Sequence, residues 1–520
     1  MNGWNLRSQV RQRLAGESGT LHKEAELRVA LCYPSPYTVG MSSLGFQTIY
    51  REINAHEGAC AERAFLPDSP EDYRASRTPV FSYESERPLG EFAVLGFSIS
   101  YELEISGLFE VLDLSGIPLL RTQRSEQHPL IVAGGPLTNS NPRPLDPFVD
   151  LIVVGEAEEL IHELLDAAAR MRRGDLLEHF ACAPGCYVPG RSHAVPSAAR
   201  ASDSRLPAYS QILTGKSVLS SMFLIEPERG CSRGCTYCVM RRAAHGGMRL
   251  VPPEEVMRRI PEQARRVGLV GAAVTDHPRI KDIVRRIVES KREIGISSLR
   301  ADRLDGELVG LLARGGYRTL TTASDGASQR LRNLVDRQTT EQHLIRVADL
   351  ARRYRLHRLK LYELIGLPTE TSEDIEEMVR LSRELARIVP LSLSVSPFVA
   401  KRNTPLDGSP FEAVPSLEEK LARLRSALKG KVQLRSASPR WARVEHMLAQ
   451  SGEAAGLAAM DAWRSGGGYA AWNRAFLGRE VRPVPGVVVL NGRRPAPLVP
   501  SRDADRCAEK TGPAEESPIR

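Results

Sequence analysis

Residues 226–238 read Glu226-Pro227-Glu228-Arg229-Gly230-Cys231-Ser232-Arg233-Gly234-Cys235-Thr236-Tyr237-Cys238, directly behind the short apolar run 222–225. Three thiols therefore stand at spacings of four and three on one loop, immediately after a strand-like segment. The whole chain of 520 residues has eight cysteines, too few for a disulfide scaffold, yet three of them crowd together here. Clustered thiols in a reducing compartment are ligands rather than bridges. Thiolates are soft donors that suit iron–sulfur clusters or zinc. Structural zinc takes four protein ligands, and no adjacent Cys or His closes such a set; His245, the nearest, reads as a loop residue. Three thiolates ligate three irons of a four-iron cube and leave the fourth open. Gly230 and Gly234 let backbone pass close to an inorganic core, and Arg229 and Arg233 are placed to offset its negative charge.

Downstream, strand-like runs recur at 271–275, 295–299, 317–322, 359–365 and 391–395. Helical patterns separate them at 253–267, 279–293, 304–314, 328–334, 340–354 and 372–388. With the run at 222–225, this makes six strand–helix units, which predict a parallel barrel, complete or partial, over 217–415. Its chemistry belongs on the loops that follow the strands, where the thiols lie. Upstream, apolar runs at 27–32, 92–99, 130–132 and 151–154 alternate with helical patterns at 44–53, 105–114 and 159–172. That rhythm predicts an α/β, doubly wound (Rossmann-like) domain over 25–175. Ligands of such sheets lie at the carboxyl ends of the strands, where the Pro- and Gly-rich loops 33–41 and 134–144 fall. Residues 176–216 read as a linker, 416–490 as a small helical C-terminal region, and 491–520, rich in Pro and charge, as a mobile tail.

Composition narrows the function classes. Hydrophobic residues are 42% and charged residues 26%, a soluble balance. There is no uninterrupted apolar run of membrane-spanning length, and residues 1–20 lack the apolar core of a secretory signal, so the expectation is a cytoplasmic protein with no membrane partner. The net charge of +8 permits an anionic partner without requiring one. Arg258, Arg259, Arg265 and Arg266, and likewise Arg346, Arg352, Arg353 and Arg355, read as solvated helix faces with no aromatic platform among them; nucleic acid is not indicated. Neither a phosphate-binding loop nor a nucleophile elbow occurs.

Cys-x3-Cys-x2-Cys with an aromatic residue directly before the last cysteine resembles the radical S-adenosylmethionine (SAM) superfamily. The resemblance implies a partial (β/α)6 radical SAM barrel and a 4Fe–4S cluster on Cys231, Cys235 and Cys238, the catalytic and metal-binding residues. The open iron of the family chelates the amino and carboxylate groups of SAM, and one-electron reduction yields a 5′-deoxyadenosyl radical. By the same resemblance Tyr237 lies beside the adenine. Asp276, in Thr275-Asp276-His277, binds the methionine amino group. Ser324 or Asp325 meets the ribose or carboxylate, and backbone near Gly366 and Leu367 approaches the adenine. Asp325 departs from the Glu often found at its place. These short motifs also read as caps or turns; Thr371-Ser372-Glu373-Asp374 is a good helix start.

The N-terminal segment resembles the cobalamin-binding domain that precedes many enzymes of this superfamily, and the whole chain resembles a branch with that two-domain order. Residues 131–136 and 153–159 match the domain's late loops. The loop whose histidine ligates cobalt is replaced by Tyr33-Pro34-Ser35-Pro36-Tyr37-Thr38-Val39-Gly40. Either cobalamin binds here without a protein ligand to cobalt, or the domain serves another purpose. The implied partners are a substrate left unnamed and an electron donor, a reductase or a flavodoxin or ferredoxin. Two alternatives stand beside this reading. One is a cobalamin-dependent radical methyltransferase or a methylthiotransferase-like enzyme, although the extra three-cysteine domain and RNA-binding module of tRNA methylthiolation are not evident. The other is a non-catalytic Fe–S redox or sensing protein, against which the adenosine-binding-like loops at Gly326 and Gly366 count. Cys182 and Cys186 read as ordinary loop thiols, Cys32, Cys60 and Cys507 stand alone, and Glu156, Glu158 and Glu159 read as helix caps.

Overall fold

Near-continuous apolar runs predict strands covered on both faces, and the first sheet is built that way. The computed structural model describes residues 2–240 and 247–483; His245, Cys507 and the tail from 491 lie outside the described residues. Strands β1 (Leu27–Tyr33), β2 (Ala59–Phe65), β3 (Val94–Ser98), β4 (Leu130–Gly134) and β5 (Leu151–Val153) pair in parallel in the order β2-β1-β3-β4-β5. The short β6 (Cys186–Tyr187) adds antiparallel to β5, so Cys186 is a buried strand residue, not a loop thiol. On one face Val29, Leu31, Val94 and Val132 pack against α1 (Leu44–Ala55) and α3 (Leu160–Arg170); on the other Ala30, Leu95, Ile131 and Ala133 pack against α2 (Ile105–Leu114). Strand β2 was not expected, because Glu62 and Arg63 interrupt its apolar pattern. Arg63 is accommodated inside by Glu17 at 2.7 Å and Glu84 at 2.6 Å.

The second unit is a partial parallel barrel in two arcs. β7 (Met222–Ile225), β8 (Arg266–Leu269) and β9 (Glu293–Ile296) pair in the order β9-β8-β7. β10 (Thr319–Ala323), β11 (Arg358–Ile365), β12 (Leu391–Pro397) and β13 (Gln433–Ser436) form the other arc. Helices α4 (Pro253–Arg259), α5 (Ile280–Glu289), α6 (Gly306–Arg314), α7 (Glu341–Arg353), α8 (Ser372–Ile388) and α9 (Val414–Leu428) alternate with them. The expected helix start at Thr371 is present as a capping box with Asp374. One strand sits earlier than its pattern suggested. The second barrel strand is Arg266–Leu269, and 271–275 lies beyond it, partly in the short turn Val274–Asp276. The preceding helix stops at Arg259, ahead of Pro261, which cannot continue the hydrogen-bond ladder.

The chain then returns to the first sheet. Helices α10 (Pro439–Gln450), α11 (Glu453–Arg464) and α12 (Tyr469–Gly478) join the core of α2 through Val444, Leu448, Ala458, Trp472 and Phe476. Asn141 fastens this return: its buried side-chain amide donates to the carbonyls of Leu448 (3.0 Å), Ala449 (3.0 Å) and Ser451 (2.6 Å). Among the described residues no helix is long and apolar enough to cross a membrane.

Strand β11 carries one exception to its alternation. Leu359, Leu361, Glu363 and Ile365 all point inward, and Glu363 is only 2% exposed. Its carboxyl accepts the Ser324 hydroxyl proton on one oxygen, and the other has no partner. Burial pushes this carboxyl up to about 8. Between the ordinary glutamate range and that value the folded chain binds a proton that the unfolded chain has released, so stability falls as pH rises through the window. Glu363→Gln is expected to raise the thermal midpoint at about pH 9 and to leave it nearly unchanged at about pH 4, in melts at both values. Asn141→Ala is expected to lower stability by about 1–3 kcal/mol in denaturant titrations, since it strands buried carbonyls without a donor.

Candidate functional site

The thiol loop leaves β7 through a second, shorter pairing. Glu228–Gly230 runs antiparallel to Met248–Leu250, with Arg229 opposite Arg249. Gly230 has φ +97°, a conformation that favours glycine, and turns the chain into Cys231. The Cys231 amide donates to Gly247 (3.2 Å), the Thr236 amide to Val335 (3.2 Å), and the Leu406 amide to the Thr236 carbonyl (3.1 Å). The loop, which leaves the first arc at β7, is thus tied to the second arc through Val335 and Leu406.

The three thiols sense one another. Burial raises Cys231 and Cys238 above the ordinary thiol range, and the charge of Cys235 raises both further. Cys235 is 8% exposed. Among the described residues no group of three or more His, Cys, Asp or Glu side chains is placed to hold a single metal ion. The Arg233 amide donates to the Cys231 sulfur at 3.4 Å, and the Arg337 guanidinium lies 3.9 Å from the Cys235 sulfur.

The cations are distributed differently from the sequence expectation. Arg233 grips Asp276 with two bonds of 2.6 Å and reaches Asp302 (3.0 Å) and Gln338 (2.7 Å). Arg229 is held by Glu158 (2.6 Å), Glu226 (2.7 Å) and Glu156 (3.3 Å). Neither is free to offset charge on a cluster. Arg337, which no sequence signal marked, is the guanidinium beside the thiols. Glu156 and Glu158 likewise do not cap α3; they face Arg249 and Arg229 across the domain boundary, and Glu159 precedes α3 without a side-chain cap bond.

Of the residues expected around SAM, several are drawn into one network. The Tyr237 hydroxyl donates to Asp325 (2.7 Å), and Arg337 lies 2.9 Å from the same carboxylate. Asp325 itself has φ +57°, a left-handed conformation held by the turn after β10. The Ser324 hydroxyl is engaged by Glu363. Asp276 accepts from Arg233 and, at 3.1 Å, from Arg303, and its pKa is low because these guanidinium contacts outweigh burial. Gly366 has φ +77° and its amide donates to Glu370 (2.9 Å), while the Leu367 side chain is buried in the barrel core. At Gly326 a Cβ would press on the backbone of Leu331 and Arg332, so only glycine lets that turn close.

A cavity of about 430 Å³ separates the carboxyl ends of β1, β3, β4 and β5 from the loops after β7 and β8. Gly230 and Glu228 lie in its wall. Burial, with smaller contributions from Glu226 and Asp276, pushes the Glu228 carboxyl up to about 7. On the other side, Tyr33 begins the loop 33–40, which lacks the cobalt-binding histidine. It is buried, and its hydroxyl is 2.8 Å from Ser100.

Comparison with known proteins agrees with this geometry. Residues 45–189 match the family model described as radical SAM proteins, N-terminal, and residues 225–382 match that of the radical SAM superfamily. An uncharacterised protein of Methanocaldococcus jannaschii is 25% identical over 417 residues, which cover 77% of this chain and 83% of that protein. A tRNA-2-methylthio-N(6)-dimethylallyladenosine synthase of Anoxybacillus flavithermus is 26% identical over 217 residues, 38% of this chain and 40% of that enzyme. The solved structure of the cobalamin-dependent S-adenosylmethionine radical enzyme OxsB with aqua-cobalamin bound is similar at 14% identity and a TM-score of 0.49, covering 69% of this chain. The match spans about half of that structure's length, 52%. With two family models in tandem over the sheet domain and the barrel, and the three-cysteine loop at the start of the second, the chain belongs to the radical SAM superfamily of enzymes.

Proposed function

We propose that Cys231, Cys235 and Cys238 hold the 4Fe–4S cluster of this enzyme, and that it cleaves SAM reductively to act on a substrate by hydrogen abstraction. The observation that carries the proposal is the trio of thiols on one loop after β7, tied by backbone bonds to loops of the second arc at the end of the parallel barrel where such folds do chemistry. Cys231, Cys235 and Cys238 would hold the cluster, and the group would supply one-electron reduction of the SAM sulfonium.

The chain's own residues account for the rest. The Arg337 guanidinium lies 3.9 Å from the Cys235 sulfur, where its positive charge would offset the negative charge of a thiolate-bound cluster. Asp325 holds both Arg337 and Tyr237, which fixes the aromatic ring next to the last cysteine. Gly326 lets the turn after β10 close against the backbone of Leu331 and Arg332, and Gly366 sits against Leu417 and Glu412, so both loops keep the tight backbone that the adenosine-binding reading requires. Asp276 acts on the thiol loop through Arg233, as a positioning residue. The loop 33–40 holds no histidine to ligate cobalt, so a cobalamin bound here would take no imidazole from it. Hydrogen abstraction is the step proposed for this chain. An external one-electron donor, a flavodoxin, ferredoxin or reductase, and a cytoplasmic setting complete the proposal.

Protein purified without oxygen is expected to be brown, to carry about four irons per chain, and to form 5′-deoxyadenosine from SAM after dithionite reduction, read by mass spectrometry. Cys235→Ala is expected to bring iron and product to background while the circular dichroism spectrum is kept, and Cys186→Ala to retain both. An iron-free, colourless anaerobic preparation, or product formation that survives Cys235→Ala, would overturn the proposal.

A further inference from the structure

Glu228 is a carboxylate for which the fold itself has no full use. It is completely shielded from solvent. One oxygen accepts the Ala273 amide (2.9 Å), and the other, Oε2, has no partner. A buried acceptor left unpaired is unfavourable, so it calls for an explanation. The surroundings are shaped to admit it: a Cβ at Gly271 would collide with the Glu228 carboxylate. The neighbouring Glu226 shows the contrast, since its carboxylate is engaged by the Ala208 amide (2.7 Å) and Arg229.

The cavity beside Glu228 is otherwise largely apolar. Val94, Phe97 and Val132 from the sheet, Ile49 from α1, Leu165 from α3 and Val270 after β8 line it. At about 430 Å³ it falls within the usual size of small-ligand sites. Its charged lining is lopsided: Glu156, Glu158, Glu226 and Glu228 against Arg229, and Arg229 is already gripped by the first three. An anionic head would meet a carboxylate with no free cation to receive it, whereas a cation or an N–H would complete the hydrogen bonding of Oε2.

We infer that this cavity binds a small ligand with an apolar body and a cationic or N–H head, and that Glu228 Oε2 receives the head. As a binding site this stands on the cavity alone; as the substrate site of the enzyme it rests on the radical reading, because Gly230 in the cavity wall directly precedes Cys231.

The test uses anaerobically purified full-length protein and N-phenyl-1-naphthylamine, an apolar fluorophore with one N–H. The bound probe is displaced by decylamine, decanol and decanoate, which share a chain and differ in head. Decylamine is expected to displace it at concentrations about tenfold or more below decanoate, with decanol between. Glu228→Gln is expected to erase most of the amine preference and to leave decanol unchanged. If that variant does not fold, Glu228→Asp, which draws the carboxylate back by one methylene, is expected to weaken decylamine selectively. No uptake of the probe, equal displacement by the three heads, or an amine preference that survives Glu228→Gln would overturn the inference. So would displacement by hydroxocobalamin with equal strength in both proteins, which would make the cavity a corrinoid slot indifferent to Glu228. Iron content is read on the same samples: an iron-free protein that still ranks the heads overturns the cluster proposal alone, and an iron-replete protein that does not overturns this one alone.

Discussion

A guanidinium held among three carboxylates joins the two halves of the molecule. Arg229 lies on the short strand that ends at Gly230 and Cys231, and its partners come from both domains: Glu226 from the end of β7, Glu156 and Glu158 from the loop after β5. Across the antiparallel pairing Arg249 reaches the same Glu156 and donates to the Ala201 carbonyl (2.7 Å) in the linker. Charges withdrawn from water at such a boundary persist only when each is matched by an opposite charge and by hydrogen bonds. The pairing therefore sets the direction in which the thiol loop leaves the barrel, and the first domain helps to orient the candidate metal site without contributing a ligand to it.

The same boundary explains the cavity. In the order β2-β1-β3-β4-β5 the chain reverses direction between β1 and β3, and sheets of this kind open a crevice at the carboxyl ends of the strands where that reversal occurs. Leu31 of β1 and Phe97 of β3 both face the cavity. Elsewhere the sheet is sealed: α1 and α3 close one face, while α2 and the returning helices α10, α11 and α12 close the other. The first domain thus draws part of the core on one of its faces from residues about three hundred positions away, which couples its integrity to that of the barrel between them.

Electrostatics around the thiols follow from reach rather than from nearness in sequence. Arg229 and Arg233 flank the first cysteine, yet long side chains go to the most favourable carboxylates within range, and here these are Glu158 and Glu226 for one and Asp276 and Asp302 for the other. The role left vacant near the sulfurs falls to Arg337, which enters from the turn after β10, about a hundred residues away, and is itself steadied by Asp325.

Much of this was legible in the amino-acid order. The spacing of Cys231, Cys235 and Cys238 places three thiols on one loop whatever the rest of the chain does, and the apolar runs mark most strands of both sheets, because burial on both faces leaves a local signature of period and length. Where that signature was diluted the reading slipped: Glu62 and Arg63 hid β2, and the arginines ahead of Val267 disguised β8 as the end of a helix. Tertiary structure alone decided which groups meet. The pairing of Asp276 with Arg233, the link from Tyr237 through Asp325 to Arg337, the isolation of Glu228 Oε2 and the return of α10, α11 and α12 to the first sheet all join residues far apart along the chain. No local periodicity encodes such meetings, since they follow from how packed elements bring side chains of different reach and charge into one low-dielectric space.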